Sequence, residues 1–101
     1  MKQKIISAAE KRILFLPHAV QQMSRPDRMI STEEVEEAVF SGTIIEEYRE
    51  DSRGESCLIF YTGSGRAIHV VCAPKDEYLA VITAYLPAAD QWSSDFTSRR
   101  K

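Results

Sequence analysis

The chemistry open to this chain rests on two histidines, two cysteines, four tyrosines and a few arginines near the ends of predicted elements. His69 lies in Arg66-Ala-Ile-His-Val-Val-Cys-Ala, an apolar, β-branched run that reads as a strand. By the two-residue period it shares a face with Ala67, Val71 and Ala73. An imidazole there is either a hydrogen-bonded structural group or a general acid or base at the mouth of a cleft. His18 follows Pro17 at a predicted helix start, where the dipole opposes a positive charge. A neutral His18 serves as a base, or its ring orients the helix through a hydrogen bond. Arg28 precedes one helix and Arg66 follows a turn, so both suit phosphate contact. Arg99, Arg100 and Lys101 form a basic terminus, which is a solvated tail or a tracker of a nucleic-acid backbone. Tyr85, near the end of the last strand, either stacks a base or packs at the rim.

The candidate catalytic residues are thus His18, His69 and Tyr85. The candidate phosphate-binding residues are Arg28, Arg66, Arg99 and Arg100. No cofactor and no metal are expected. Gly63-x-Gly65 is too short for a dinucleotide fingerprint and reads as a hairpin turn between strands. Cys57, Cys72, His18 and His69 offer zinc-ligand atoms but lack finger spacing, and cysteines in apolar strands act as small hydrophobes.

The elements that must position these groups fit one domain of 101 residues. With 44% hydrophobic and 28% charged residues, the chain can build one core, which excludes disordered and low-complexity classes. No apolar run reaches the ~20 residues of a membrane span, and no signal peptide is read, so the cytoplasm with reduced thiols is the expected compartment. The net charge of −2 argues against a dedicated basic nucleic-acid binder. It hides an asymmetry: Ser31 to Asp51 carries eight acids and one base, a net −7, against +5 elsewhere. Such asymmetry is either solvated surface or an acidic face for a partner.

Residues 2–12 have helical spacing. Ile13 to Leu16 is a short apolar run suited to a buried strand, and Pro17 opens a helix limited by Pro26. Ser31-Thr32-Glu33-Glu34 fits a capping box, with Ile30 and Val35 as its staple, and Gly42 ends that helix. Four runs then read as strands: 43–49, 56–62, 66–73 and 78–86. Turn-rich Asp51-Ser52-Arg53-Gly54, Gly63-Ser64-Gly65 and Pro74-Lys75-Asp76-Glu77 separate them. Short links favour an antiparallel meander with the last two strands central. Residues 90–101 are expected to form a final short helix that packs Trp92 and Phe96 on the body. The expected class is α+β: an N-terminal helix or arm over 1–12, a core over 13–86 with a short strand, two helices and a four-stranded meander, and a tail over 87–101.

Several of these pieces together resemble a prokaryotic family known only as a domain of unknown function, number 4258. They are His18-Ala19 with Met23, Arg28-x-Ile30 before a helix ending in Gly42, and Ile44-Ile45-Glu46 with Tyr48. Ser56-Cys57-Leu58, Gly65-Arg66-x-Ile68-His69-Val70-Val71 and Ile82-Thr83-Ala84-Tyr85 continue the match. Pro87, Trp92, Asp95-Phe96 and Arg99 resemble a branch encoded beside MqsA-like zinc-finger antitoxins. The resemblance implies a RelE/ParE-like fold and a type II toxin. Its partner would be a small antitoxin protein, and its target mRNA, free or on the ribosome.

Two readings follow. In the first, the chain is a metal-independent endoribonuclease, in which His18 or His69 is base or acid, Arg28 and Arg66 hold the phosphate, and Tyr85 stacks or donates. In the second it is a non-catalytic binding module whose acidic helix or sheet edge docks a partner. A concave face that gathers His18, His69, Arg66 and Tyr85 supports cleavage; scattering or full burial of the four removes that mechanism. A mixed-charge apolar groove without clustered histidine and arginine favours binding.

Overall fold

A computed structural model describes residues 1–50 and 54–100. The predicted turn residues Asp51, Ser52 and Arg53, and Lys101 of the basic terminus, lie outside the described residues. The apolar stripe of Ile5, Ala8 and Ala9 is buried along α1 (Lys2–Lys11), and Ile13–Phe15 follows as β1. Pro17 takes the first helical position of α2 (Pro17–Met23), where its missing N–H costs nothing. α3 (Thr32–Ser41) starts as the cap predicts, with the Glu34 amide donating to Ser31 Oγ at 3.0 Å. The Glu34 carboxylate also feels the Ser31 backbone amide, the reciprocal half of the box, and takes further bonds from Ser64 and Arg66. Ile30 and Val35 are both buried, as a staple requires.

Gly42 caps α3 with φ −80° and ψ 179°, an extended conformation and not the left-handed one usual for a capping glycine. Its role is space. A Cβ at this position would lie 2.5 Å from the Ala38 carbonyl oxygen and 2.8 Å from that of Phe60.

The strands are β2 (Thr43–Tyr48), β3 (Ser56–Tyr61), β4 (Ile68–Pro74) and β5 (Leu79–Tyr85). They pair antiparallel in sequence order, as expected. The sheet nevertheless has five strands and is mixed, in the order β1-β5-β4-β3-β2. β1 lies parallel to β5, with Ile13 opposite Leu79 and Phe15 opposite Val81. This corrects the four-stranded meander: the 13–16 run is a half-buried edge strand that shields β5. β4 and β5 are interior strands, as their apolar sequences demand.

All three helices contribute to a core on one sheet face, against Ile59, Val70, Cys72, Val81 and their neighbours. The opposite face holds Leu58, His69, Val71 and Ala73, and the chain end covers it. Residues 87–100 form no helix there. Ser93, Asp95 and Thr97 satisfy one another and the local backbone, which draws 93–98 into a turn closed by a Trp92–Arg99 bridge. Trp92 is buried, as expected of it, but it is delivered by this turn. No helix among the described residues is long and apolar enough to cross a membrane.

Candidate functional site

The predicted site residues separate into distinct neighbourhoods. His18 is exposed in the first turn of α2. Arg66 and Arg28 meet at the 62–67 turn, beside the start of α3. Arg66 donates to both Glu34 carboxylate oxygens, at 3.0 and 2.9 Å, and to the backbone oxygens of Arg28 and Met29. Met29 holds φ 50°, sparsely occupied by non-glycine residues, and its carbonyl receives the Arg66 guanidinium at 3.1 Å. The Arg28 side chain donates to Gln22. The Arg66 pair holds the Glu34 carboxyl below its ordinary range. Arg66 therefore locks a turn to a helix, and its charge is already matched.

His69, Tyr85 and Arg99 meet on the other sheet face. Register sets His69 opposite Tyr85, whose hydroxyl lies 3.3 Å from Nδ1. His69 Nε2 lies 2.8 Å from the Phe96 carbonyl oxygen. A carbonyl only accepts, so Nε2 carries the proton and Nδ1 of the neutral ring accepts from Tyr85. Trp92 stands edge-on at 4.4 Å, and the ring is 0% exposed. Burial lowers the proton affinity of His69. Phe96 reaches the ring with φ 62°, a left-handed conformation held by the Asp95 turn.

Glu46 and Tyr48 complete this cluster, although neither is among the predicted catalytic or phosphate-binding residues. Arg99 donates to both Glu46 oxygens at 2.9 and 3.0 Å and lies 4.7 Å from the Trp92 ring centroid. Tyr48 donates to Glu46. Its phenol is pushed up to about 12, by burial and then by the Glu46 bond. A bulge in β2 conceals this placement. Ile44 pairs with Ile59 but Glu46 pairs with Leu58, so residues two apart lie on opposite faces. Arg100, the remaining predicted phosphate ligand, donates to the Ala89 carbonyl.

The third neighbourhood is an open groove of about 670 Å³ between α1, β1 and α3. Ala9, Ile13 and Phe40 supply its apolar surface, and Glu33, Glu36 and Glu37 line its α3 side. Phe40 is 40% exposed. None of these three carboxylates makes an ion pair among the described residues. Cys57 and Cys72 belong to the helix-side core, across the sheet from His69, and no group of three potential metal ligands converges among the described residues.

A family model described as a domain of unknown function (DUF4258) matches residues 15–86. Neither a curated protein nor a solved structure matches the chain.

Proposed function

The chain belongs to the domain-of-unknown-function family 4258, and from that membership, which assigns no activity, we propose that it is a non-catalytic protein-recognition module. The observation that carries this reading is the groove between α1 and α3. It combines an exposed Phe40 and an apolar floor with three carboxylates that no base in the described chain neutralises. The groups that cleavage would use are engaged elsewhere: His69 is enclosed, Arg66 is tied to Glu34, and Arg99 to Glu46. His18, His69 and Arg66 do not form one constellation. The chemistry of the groove suits a cationic segment of a partner protein that inserts one apolar side chain beside Phe40. The antitoxin implied by the resemblance is the first partner to test.

A photo-crosslinking residue in place of Phe40, used in the native host, tests this. A discrete adduct that disappears when Glu33, Glu36 and Glu37 are changed to lysine supports the groove. Equal crosslinking after that reversal removes it.

A second reading is favoured by the cluster on the opposite face. Glu46, His69, Tyr85 and Arg99 bring together a carboxylate, an imidazole, a phenol and a guanidinium, which can supply the base, the acid and the positive charge that metal-independent RNA cleavage needs. In that reading the 87–100 segment lifts before RNA reaches His69. Induced expression with mRNA integrity as readout separates the two. Intact mRNA fits recognition alone, and mRNA loss that Glu46→Gln relieves at unchanged fold assigns cleavage.

A further inference from the structure

Cys57 is the second residue of β3 and Cys72 the fifth of β4, and the antiparallel register sets them directly opposite. Directly opposed side chains share a face, here the helix side of the sheet. Their sulfurs are 3.9 Å apart, and both residues are 0% exposed. Opposed residues of an antiparallel pair have Cα spacings of roughly 4.5–5.5 Å, inside the span a disulfide bridges. Closing the sulfurs to about 2.05 Å asks for side-chain rotation and not for strand movement.

We propose that Cys57 and Cys72 form an oxidisable dithiol that hydrogen peroxide closes to a cross-strand disulfide. Cys57 is the attacking sulfur. Either sulfur can donate across the 3.9 Å contact; with Cys72 as donor the bond favours the Cys57 thiolate, while that bond and burial hold the Cys72 thiol up. The Cys57 thiolate attacks one peroxide oxygen. A sulfur–oxygen bond forms, the oxygen–oxygen bond breaks, and the departing hydroxide takes the proton lost from Cys57 and becomes water. The Cys72 sulfur then attacks the Cys57 sulfenic acid. The sulfur–sulfur bond forms, the sulfur–oxygen bond breaks, and hydroxide leaves with the Cys72 proton as a second water. Two thiols lose two electrons, and one peroxide becomes two waters. Burial selects a small, uncharged oxidant over a bulky disulfide such as oxidised glutathione.

The test treats the folded full chain with hydrogen peroxide, then counts thiols after denaturation and weighs the protein intact. Both thiols disappear together, the mass falls by two hydrogens, and proteolysis yields one peptide pair joined at Cys57 and Cys72. Dithiothreitol restores the starting mass. In the Cys72→Ser variant, Cys57 stops at a sulfenic acid that dimedone traps; in Cys57→Ser the remaining thiol persists. Two free thiols in folded protein after treatment would overturn the proposal, as would oxygen gained on Cys57 or Cys72 in place of lost hydrogen; oxygen on Met29, which is 69% exposed, is located by peptide mapping and subtracted from the mass. If the serine variants do not fold, the wild-type mass and linked peptide decide it alone.

Discussion

His69 shows how an identical side chain supports opposite readings until its neighbours are known. The two-residue period correctly predicts a face shared with Val71 and Ala73. It carries no information on the chain end that covers that face. Trp92 and the Phe96 carbonyl turn a candidate acid or base into a buried, fully bonded ring. His69→Ala leaves Tyr85 and the Phe96 carbonyl without a partner. It should cost about 1–3 kcal/mol, seen as a lower Tm. The pH dependence has a definite sign. Burial lowers the folded-state proton affinity below the ordinary value of 6.5, so the unfolded chain binds more protons just below that pH. His69 thus favours the folded state fully above 6.5, and that contribution is lost as pH falls through 6.5 toward the lowered value. Denaturant melts across that range should show the slope in wild type and lose it in His69→Gln. Arg66 was legible as an element-end arginine but not as the partner of Glu34, thirty-two positions away. Arg66→Ala should cost about 1–2 kcal/mol in the same melts, a figure reduced for its partial exposure.

At the scale of elements, local signals located every helix and strand to within a few residues. Pro17, the Ser31 cap and Gly42 mark boundaries that short-range sterics and hydrogen bonds impose. What they could not carry is non-local. The parallel β1–β5 pair joins residues more than sixty positions apart, with no turn to announce it. The β2 bulge reverses the face of Glu46 and Tyr48, which strict alternation would have set beside Ile44. The tail was expected as a helix, and its serine, threonine and aspartate bonds made it a turn. Two predictions belong here. Gly42→Ala presses a methyl group against two backbone oxygens that cannot yield cheaply. A loss of about 1–3 kcal/mol is expected by denaturant titration, although alanine adopts the observed φ and ψ readily. Trp92→Ala empties the contact over His69 and should cost about 3 kcal/mol. Hydrogen exchange should then accelerate first in β4 and β5 beneath the tail.

Across the whole molecule, a net charge of −2 conceals a division that two ion pairs bridge, Arg66 with Glu34 and Arg99 with Glu46. Lys4 with Glu55 and Arg49 with Glu47 pair within one side of it. Glu33, Glu36 and Glu37 stay outside this pairing and lie against an exposed aromatic ring. The acidic excess was legible in the sequence. Its junction with Ala9 and Ile13 was not, because only the packing of α1 beside α3 creates the groove. Surface charge of one sign accelerates encounter with a cationic partner and loses that effect as salt screens it. An apolar anchor at the centre of an interface controls dissociation more than encounter. The most direct measurement is calorimetric titration of the crosslinked partner, once purified, into wild type, Phe40→Ala and the triple lysine variant, at low and high salt. Phe40→Ala should weaken binding by about 1–3 kcal/mol, roughly five- to 150-fold. The lysine variant should abolish binding at low salt, with its fold confirmed by a cooperative melt at a Tm lowered by loss of the Tyr61–Glu37 bond and of the first-turn acid Glu33. Equal affinity for all three proteins would contradict the groove as the site of recognition.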